Sequence, residues 1–469
     1  MMKFLPALVL FASLLSCFAA EPKPNLIYMM VDDLGYGDLS CYGQKHFTTP
    51  NIDRLATEGM KFTDHYAGST VCAPTRCVLM TGLHTGHAFI RGNKEIKPVG
   101  QHPMADACYT VAELFKDNGY ATGAFGKWGL GAPGSEGDPV HQGFDKFYGY
   151  NCQRNAHTFY PTWLYDNLNK VEFDGKTYSH DVIAEECLVW IRKQKDTPFF
   201  CYIPFTIPHA AMQVPADDHD PWREKFPQFE GKVGKYANTQ VTNPVAAFAG
   251  MMTRLDRDIG RILDLLKELG IDDNTLVIFT SDNGPHKEGG HDPIFFDSNG
   301  PLNGFKRDLT EGGIRVPHLA RWPGKIKAGT ESDHISAHWD LLATAADMIG
   351  VEPPAGLDGI SYLPELLGKE QAEHDFLYWE FFERGGKRAV RQGKWKAVQN
   401  DLHKNPDGPI MLFDLDKDLG ETTDLAAEHP DKVKAMKQLM IESHTDSEIF
   451  VVKPPKPKQP KQPKKKPAA

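Results

Sequence analysis

The sequence has no paired CxxC motif, no internal repeat and no apolar run long enough to cross a bilayer. The first absence excludes a zinc ribbon, the second a repeat architecture, and the third a membrane-spanning helix. Basic residues form no patch inside the folded part. The 52 Lys and Arg against 62 Asp and Glu leave a net charge of −10, with a pI near 6.0. That balance offers no footprint for nucleic acid. Cysteine is sparse: of eight, Cys17 lies in the leader, and an odd seven remain at 41, 72, 77, 108, 152, 187 and 201. At least one of these is unpaired within a single chain.

The composition is that of a large globular protein, 41% hydrophobic and 24% charged over 469 residues. Residues 1–20 read as an export signal. Lys3 supplies the charge, Leu5 to Leu15 the short apolar stretch, and Ala19 and Ala20 the small residues before Glu21. A secreted or periplasmic location is the expectation, with lipid anchoring through Cys17 of the Leu14-Leu15-Ser16-Cys17 run as the alternative. Residues 453–469 are almost entirely Lys, Pro and Gln, and 451–469 are expected to form a disordered tail, since they have too little apolar surface to bury.

Between the ends, short apolar runs rich in β-branched and aromatic residues recur at wide spacing: 25–31, 121–125, 199–205 and 276–280. Amphipathic patterns at 111–118, 180–194 and 245–269 separate them. Strands alternating with helices predict an α/β fold, with a large, mixed, mostly parallel sheet flanked by helices. A Pro/Gly cluster at 350–359 marks a break. Strand-like runs at 376–380, 388–390, 395–398 and 411–414, then a helical pattern at 426–443, predict a small C-terminal α+β subdomain over 351–450. Residues 21–350 are left for the catalytic domain.

In an open α/β sheet, ligands gather beyond the carboxyl ends of the strands. The polar residues there are Asp32 and Asp33, Lys127, His209, and Asp282 with Asn283. Carboxylates and an amide converging on one edge make a hard-oxygen cluster suited to Ca²⁺ or Mg²⁺. The stretch Cys72-Ala73-Pro74-Thr75-Arg76 reads as a helix start. It puts Cys72 and Arg76 on one face, next to the partial positive charge of a helix N-terminus.

C-x-P-x-R followed by Thr81-Gly82 resembles the signature of the type I, formylglycine-dependent sulfatases of the alkaline-phosphatase superfamily. Asp32-Asp33, Gly126-Lys127-Trp128, Ser281-Asp282-Asn283-Gly284 and Gly304-Phe305-Lys306 stand in the same family's order, so the resemblance spans about residues 24–450. It implies that a maturation enzyme oxidises Cys72 to formylglycine, whose hydrate attacks sulfur. It also implies that Asp32, Asp33, Asp282, Asn283 and the modified Cys72 hold Ca²⁺. Arg76, Lys127 and Lys306 then surround the developing charge, Asp282 serves as base, and His209 and Lys306 contact sulfate and assist the leaving oxygen.

The sequence departs from the family at one position. Gly129 stands where the family usually has a histidine that receives the proton allowing sulfate to be expelled. His157 and His286 are the candidate replacements. Gln153, Arg154, His157, His286 and His291 are candidate sugar contacts, and Phe159, Tyr160, Trp163 and Tyr165 a candidate stacking face. The expected activity is hydrolysis of carbohydrate sulfate esters. A formylglycine-dependent phosphonate or phosphodiester hydrolase and an inactive sulfated-glycan binder are the alternatives.

Overall fold

The computed structural model describes residues 22–97 and 99–452. The expected signal, Cys17 and all but the first two residues of the expected tail lie outside the described residues.

The centre of the molecule is a ten-stranded sheet. Its strands, in chain order, are β1 (Asn25–Val31), β2 (Met60–Phe62), β3 (Ala121–Lys127), β4 (Lys146–Tyr150), β5 (Trp163–Asp166), β6 (Asn169–Glu172), β7 (Phe199–Ile203), β8 (Thr275–Ser281), β9 (His318–Arg321) and β10 (Thr330–Ser332). Across the sheet they run β10-β2-β9-β8-β1-β7-β3-β4-β5-β6. The five in the middle, from β8 to β4, are parallel. Antiparallel pairs flank them through β9 on one side and β5 and β6 on the other. The fold is the mixed, mostly parallel sheet that the sequence predicts.

Each apolar run becomes a strand buried on both faces, which is why those runs do not alternate with polar residues. In β1, Leu26, Tyr28 and Met30 enter one core with Val78 and Leu79. Ile27, Met29 and Val31 enter the other with Phe248, Leu255 and Ile259. The first core is closed by helix α1 (Cys72–Thr81), of which every residue is buried. The second is closed by α2 (Ser179–Lys193) and by the long α3 (Pro244–Leu269), whose Asn243 accepts a hydrogen bond from Ala246 N as its cap.

A four-stranded antiparallel sheet follows, β11 (Leu377–Phe381), β12 (Lys387–Gln392), β13 (Trp395–Gln399) and β14 (Ile410–Asp414), covered by α4 (Pro430–Glu442). The helix starts at Pro430 rather than 426, because proline is favoured in the first turn, where its missing N–H costs nothing. This sheet meets the large one through buried charges. Asp64 takes Arg315 at 2.7 Å and Arg391 at 2.7 Å. Lys396 lies 2.7 Å from Glu311 and 3.1 Å from Glu421.

Candidate active site

The carboxyl ends of β1, β3 and β8 and the loop after β7 open on one point, and the N-terminus of α1 is aimed at it. Asp32 and Asp33 follow β1 directly. Asp33 sits at φ 66°, a left-handed conformation that few non-glycine residues adopt. Its backbone N–H donates to Asp282 Oδ1 at 3.0 Å, tying the turn after β1 to the turn after β8.

Around these acids the cations are close and buried. Lys127, the last residue of β3, donates to Asp32 Oδ2 at 2.6 Å. Arg76 donates to Asp282 Oδ2 at 3.0 Å and to the Lys127 carbonyl at 2.6 Å. Lys306 donates to Asp33 Oδ2 at 2.7 Å, and His209 Nε2 lies 3.3 Å from the same oxygen. Asn283 donates its amide N–H to Asp33 Oδ1 at 2.7 Å. The Cys72 thiol donates to Asp32 Oδ1 at 3.4 Å. All nine of the candidate nucleophile, metal and charge residues thus meet in one cluster.

The cluster fits a divalent cation. One ligand atom each from Asp32, Asp33, Cys72 and His209 lies within 4.8 Å of the others. Asn283 Oδ1 is buried with no hydrogen-bond partner, although its amide nitrogen is used. A buried carbonyl oxygen beside three carboxylates is an oxygen donor set of the kind hard cations take.

Electrostatics divide Asp32 from Asp282. Burial works to raise the Asp32 carboxyl, but Lys127, His209 and Arg76 overcome it and hold the group well below the usual range. Burial and the neighbouring Asp32 push Asp282 up to about 7. Burial, then Asp32, pushes the Cys72 thiol far up. A plain thiol here stays protonated and is a poor nucleophile.

A side chain at position 129 would have to displace Gln153 and adopt a left-handed backbone. Gly129 has φ +82°, and a Cβ there would lie 2.9 Å from Gln153 Cγ. Gln153 therefore occupies the space next to Gly129, and its amide nitrogen is buried without a partner. His157 stacks on His209 with centroids 5.5 Å apart and planes 3° from parallel. Burial, then Lys127 and Lys306, lowers it to about 4. His286 stacks on the other side of His209 at 5.7 Å. His291 sits behind it, against Phe248 at 4.0 Å. Arg154 lies on the surface, 3.8 Å from Glu95. Of the aromatic run, Phe159 is fully buried, and Trp163 lies on β5, at the far side of the sheet, with Lys170 over its ring.

Two residues of this wall have no sequence signal. Tyr236 comes from a two-stranded ribbon, Val233–Tyr236 with Thr239–Thr242, and meets His157 and His209 edge-on at 5.2 and 5.7 Å. Glu288 reads as a solvated loop acid, yet it lies 3.8 Å from Lys306 and 2.6 Å from Arg307.

The sulfatase family model matches residues 24–351, and a model described as the C-terminal region of N-sulphoglucosamine sulphohydrolase matches 304–446. The chain is 33% identical to human arylsulfatase A, over 92% of its own length and 90% of that protein's. It is 29% identical to the N-acetylgalactosamine-6-O-sulfatase of Bacteroides thetaiotaomicron, over 89% of this chain and 92% of that one. A solved structure of Ps i-CgsB in complex with k-i-k-neocarrahexaose superposes with a TM-score of 0.76 at 28% identity, covering 90% and 92% of the two chains. The protein therefore belongs to the formylglycine-dependent sulfatases, sulfuric ester hydrolases of the alkaline-phosphatase superfamily.

Proposed function

We propose that the protein hydrolyses sulfate monoesters on a carbohydrate, with Cys72 as the precursor of the nucleophile and Ca²⁺ as the metal. The observation that carries this reading is the placement of Cys72. It stands at the start of a buried helix, 3.4 Å from Asp32, in surroundings that keep its thiol protonated. A protonated thiol is a weak nucleophile, whereas oxidation to formylglycine would put the hydroxyl of a hydrated aldehyde in the same place.

Asp32, Asp33, Asp282 and Asn283 would hold the cation, which would polarise the sulfate and favour the ionised hydroxyl. The chain's own groups supply the rest. Asp282, held in place by the Asp33 backbone N–H and by Arg76, is the group we assign to take a proton from the attacking hydroxyl. Arg76 and Lys127, both fully buried, offer fixed positive charge to the sulfate oxygens without needing to reorganise. His209 and Lys306, both at Asp33 Oδ2, would contact sulfate and assist the leaving oxygen. His157, neutral and stacked on His209, is the residue we assign to the proton transfer for which Gly129 has no side chain.

The carbohydrate substrate rests on the relatives, named for N-acetylgalactosamine sulfate, and on the neocarrahexaose complex. Tyr236 and Gln153 would form the wall against which a sugar packs. Export from the cytoplasm and conversion of Cys72 by a maturation enzyme belong to the same reading. The test is sulfate release from 4-nitrophenyl sulfate and from galactose and N-acetylgalactosamine carrying single sulfates, with bis(4-nitrophenyl) phosphate alongside. Hydrolysis of a sugar sulfate is expected. Preference for the phosphodiester, or no turnover at all, would contradict the reading.

A further inference from the structure

Lys306 competes with the proposed cation for Asp33. Both Asp33 oxygens are already taken, Oδ1 by the Asn283 amide at 2.7 Å and Oδ2 by the Lys306 ammonium at 2.7 Å. An ammonium that close to a ligating carboxylate oxygen would lie within a few ångströms of a divalent ion, where like charges in a dry site repel strongly. Of the three cations that sit on these acids, Lys127 on Asp32, Arg76 on Asp282 and Lys306 on Asp33, Lys306 has a further carboxylate, Glu288, within reach if a cation displaces it. Leaving a buried ammonium without an acceptor would itself be costly.

The structure provides an acceptor. Glu288 Oε2 is buried and has no hydrogen-bond partner, 3.8 Å from Lys306 Nζ. The rest of the carboxylate is pinned: Oε1 pairs with Arg307 at 2.6 Å, and the Glu288 backbone N–H donates to His286 Nδ1 at 3.0 Å. The lysine backbone is fixed too. Lys306 N donates to the Pro285 carbonyl at 3.0 Å, and Arg307 N donates to Thr70 Oγ1 at 2.8 Å. Only the lysine side chain has to turn, and about 1 Å of movement brings its ammonium into hydrogen-bond range of Oε2.

We propose that Glu288 is a positioning residue that receives Lys306 from Asp33 when the cation binds, so that one carboxylate is freed for the metal while the lysine stays in the site. The inference rests on the reading of Asp33 as a cation ligand. It explains why an acid sits beside a sulfate-binding lysine, where a negative charge otherwise opposes the substrate.

The test is isothermal titration of Ca²⁺ into the chelator-treated full chain, as wild type, Glu288→Gln, Lys306→Met and the double variant. Glu288→Gln is expected to weaken Ca²⁺ binding about tenfold, because the displaced ammonium then meets at most a neutral amide instead of a carboxylate. In the Lys306→Met background the same substitution is expected to change affinity less than about twofold. Glu288→Asp, which keeps the charge but shortens the reach, is expected to weaken binding in the same direction and covers the case in which the glutamine variant fails to fold. Wild-type affinity in both Glu288 variants overturns the inference. Equal weakening with and without Lys306 overturns it as well, since Glu288 would then act only as a nearby charge. A wild-type chain that binds no Ca²⁺ overturns the cation reading, and this inference with it.

Discussion

Two buried clusters of three acids and three bases lie in this molecule, and they differ in what they leave unpaired. At the seam between the sheets, Asp64, Glu311 and Glu421 meet Arg315, Arg391 and Lys396. At the strand ends, Asp32, Asp33 and Asp282 meet Arg76, Lys127 and Lys306. In the seam Arg391 and Lys396 of the second sheet reach across to Asp64 and Glu311, and both oxygens of Asp64 and of Glu311 are occupied. At the strand ends Asn283 Oδ1, Arg76 Nε and Glu288 Oε2 have no hydrogen-bond partner, whereas of the six seam residues only Glu421 leaves an oxygen without one, and that oxygen still lies 3.1 Å from Lys396. Equal charge counts therefore do not mean equal roles. A closed cluster acts as an internal joint, and an open one is shaped for something that is added.

The largest effects that would test this contrast come from neutralising one acid in each cluster. Asp282→Asn is expected to lower sulfatase turnover by about 10²–10⁴-fold. Its melting temperature should hold or rise, since the substitution relieves a carboxylate crowded by Asp32. Glu311→Gln leaves Lys396 and Arg315 without their buried counter-charge, a change costing about 3–5 kcal/mol. Its melting temperature should fall well below wild type, while the molecules still folded lose less turnover than Asp282→Asn. Calorimetry with 4-nitrophenyl sulfate assays checks both, and the reverse pattern would erase the distinction.

A smaller effect concerns the open cluster alone. His157→Ala is expected to lower kcat about a hundredfold and to leave covalently bound sulfate on the protein during turnover. Mass spectrometry of the quenched reaction reads this directly. Unchanged turnover would remove His157 from the mechanism.

The smallest effect is a pH trend in the closed cluster. Burial and the neighbouring Glu311 push Glu421 up to about 7. A carboxyl raised in the folded state stabilises fully below its unfolded value, near 4.5, and loses that contribution as pH rises through about 7. The melting temperature of Glu421→Gln should therefore gain on wild type between pH 5 and pH 8. A constant gap across that range would show that Glu421 does not titrate there.

Much of the open cluster was legible in the sequence, because an α/β sheet places its site at strand ends and those ends can be found from apolar runs. Asp32, Lys127 and Asp282 each sit at or directly after such a run. The strand boundaries moved by only a residue or two, as at β3, which continues to Lys127. The closed cluster was not legible. Asp64, Glu311 and Arg391 lie far apart in sequence and on segments that look solvated, and only the docking of the second sheet brings them together. Glu288 and Tyr236 were missed for the same reason, since a loop acid and a ribbon tyrosine carry no periodicity. Arg154, a candidate sugar contact, lies on the surface outside the cluster.

The central claim is that the open cluster is built around a converted Cys72. Its most direct test is peptide mass analysis of Cys72 in full-length protein produced with a formylglycine-forming maturation enzyme, with 4-nitrophenyl sulfate turnover followed on the same samples. The account predicts that turnover rises in proportion to the fraction of Cys72 present as the aldehyde and vanishes in Cys72→Ala. Full turnover from protein whose Cys72 is an intact thiol, or from Cys72→Ala, would contradict it.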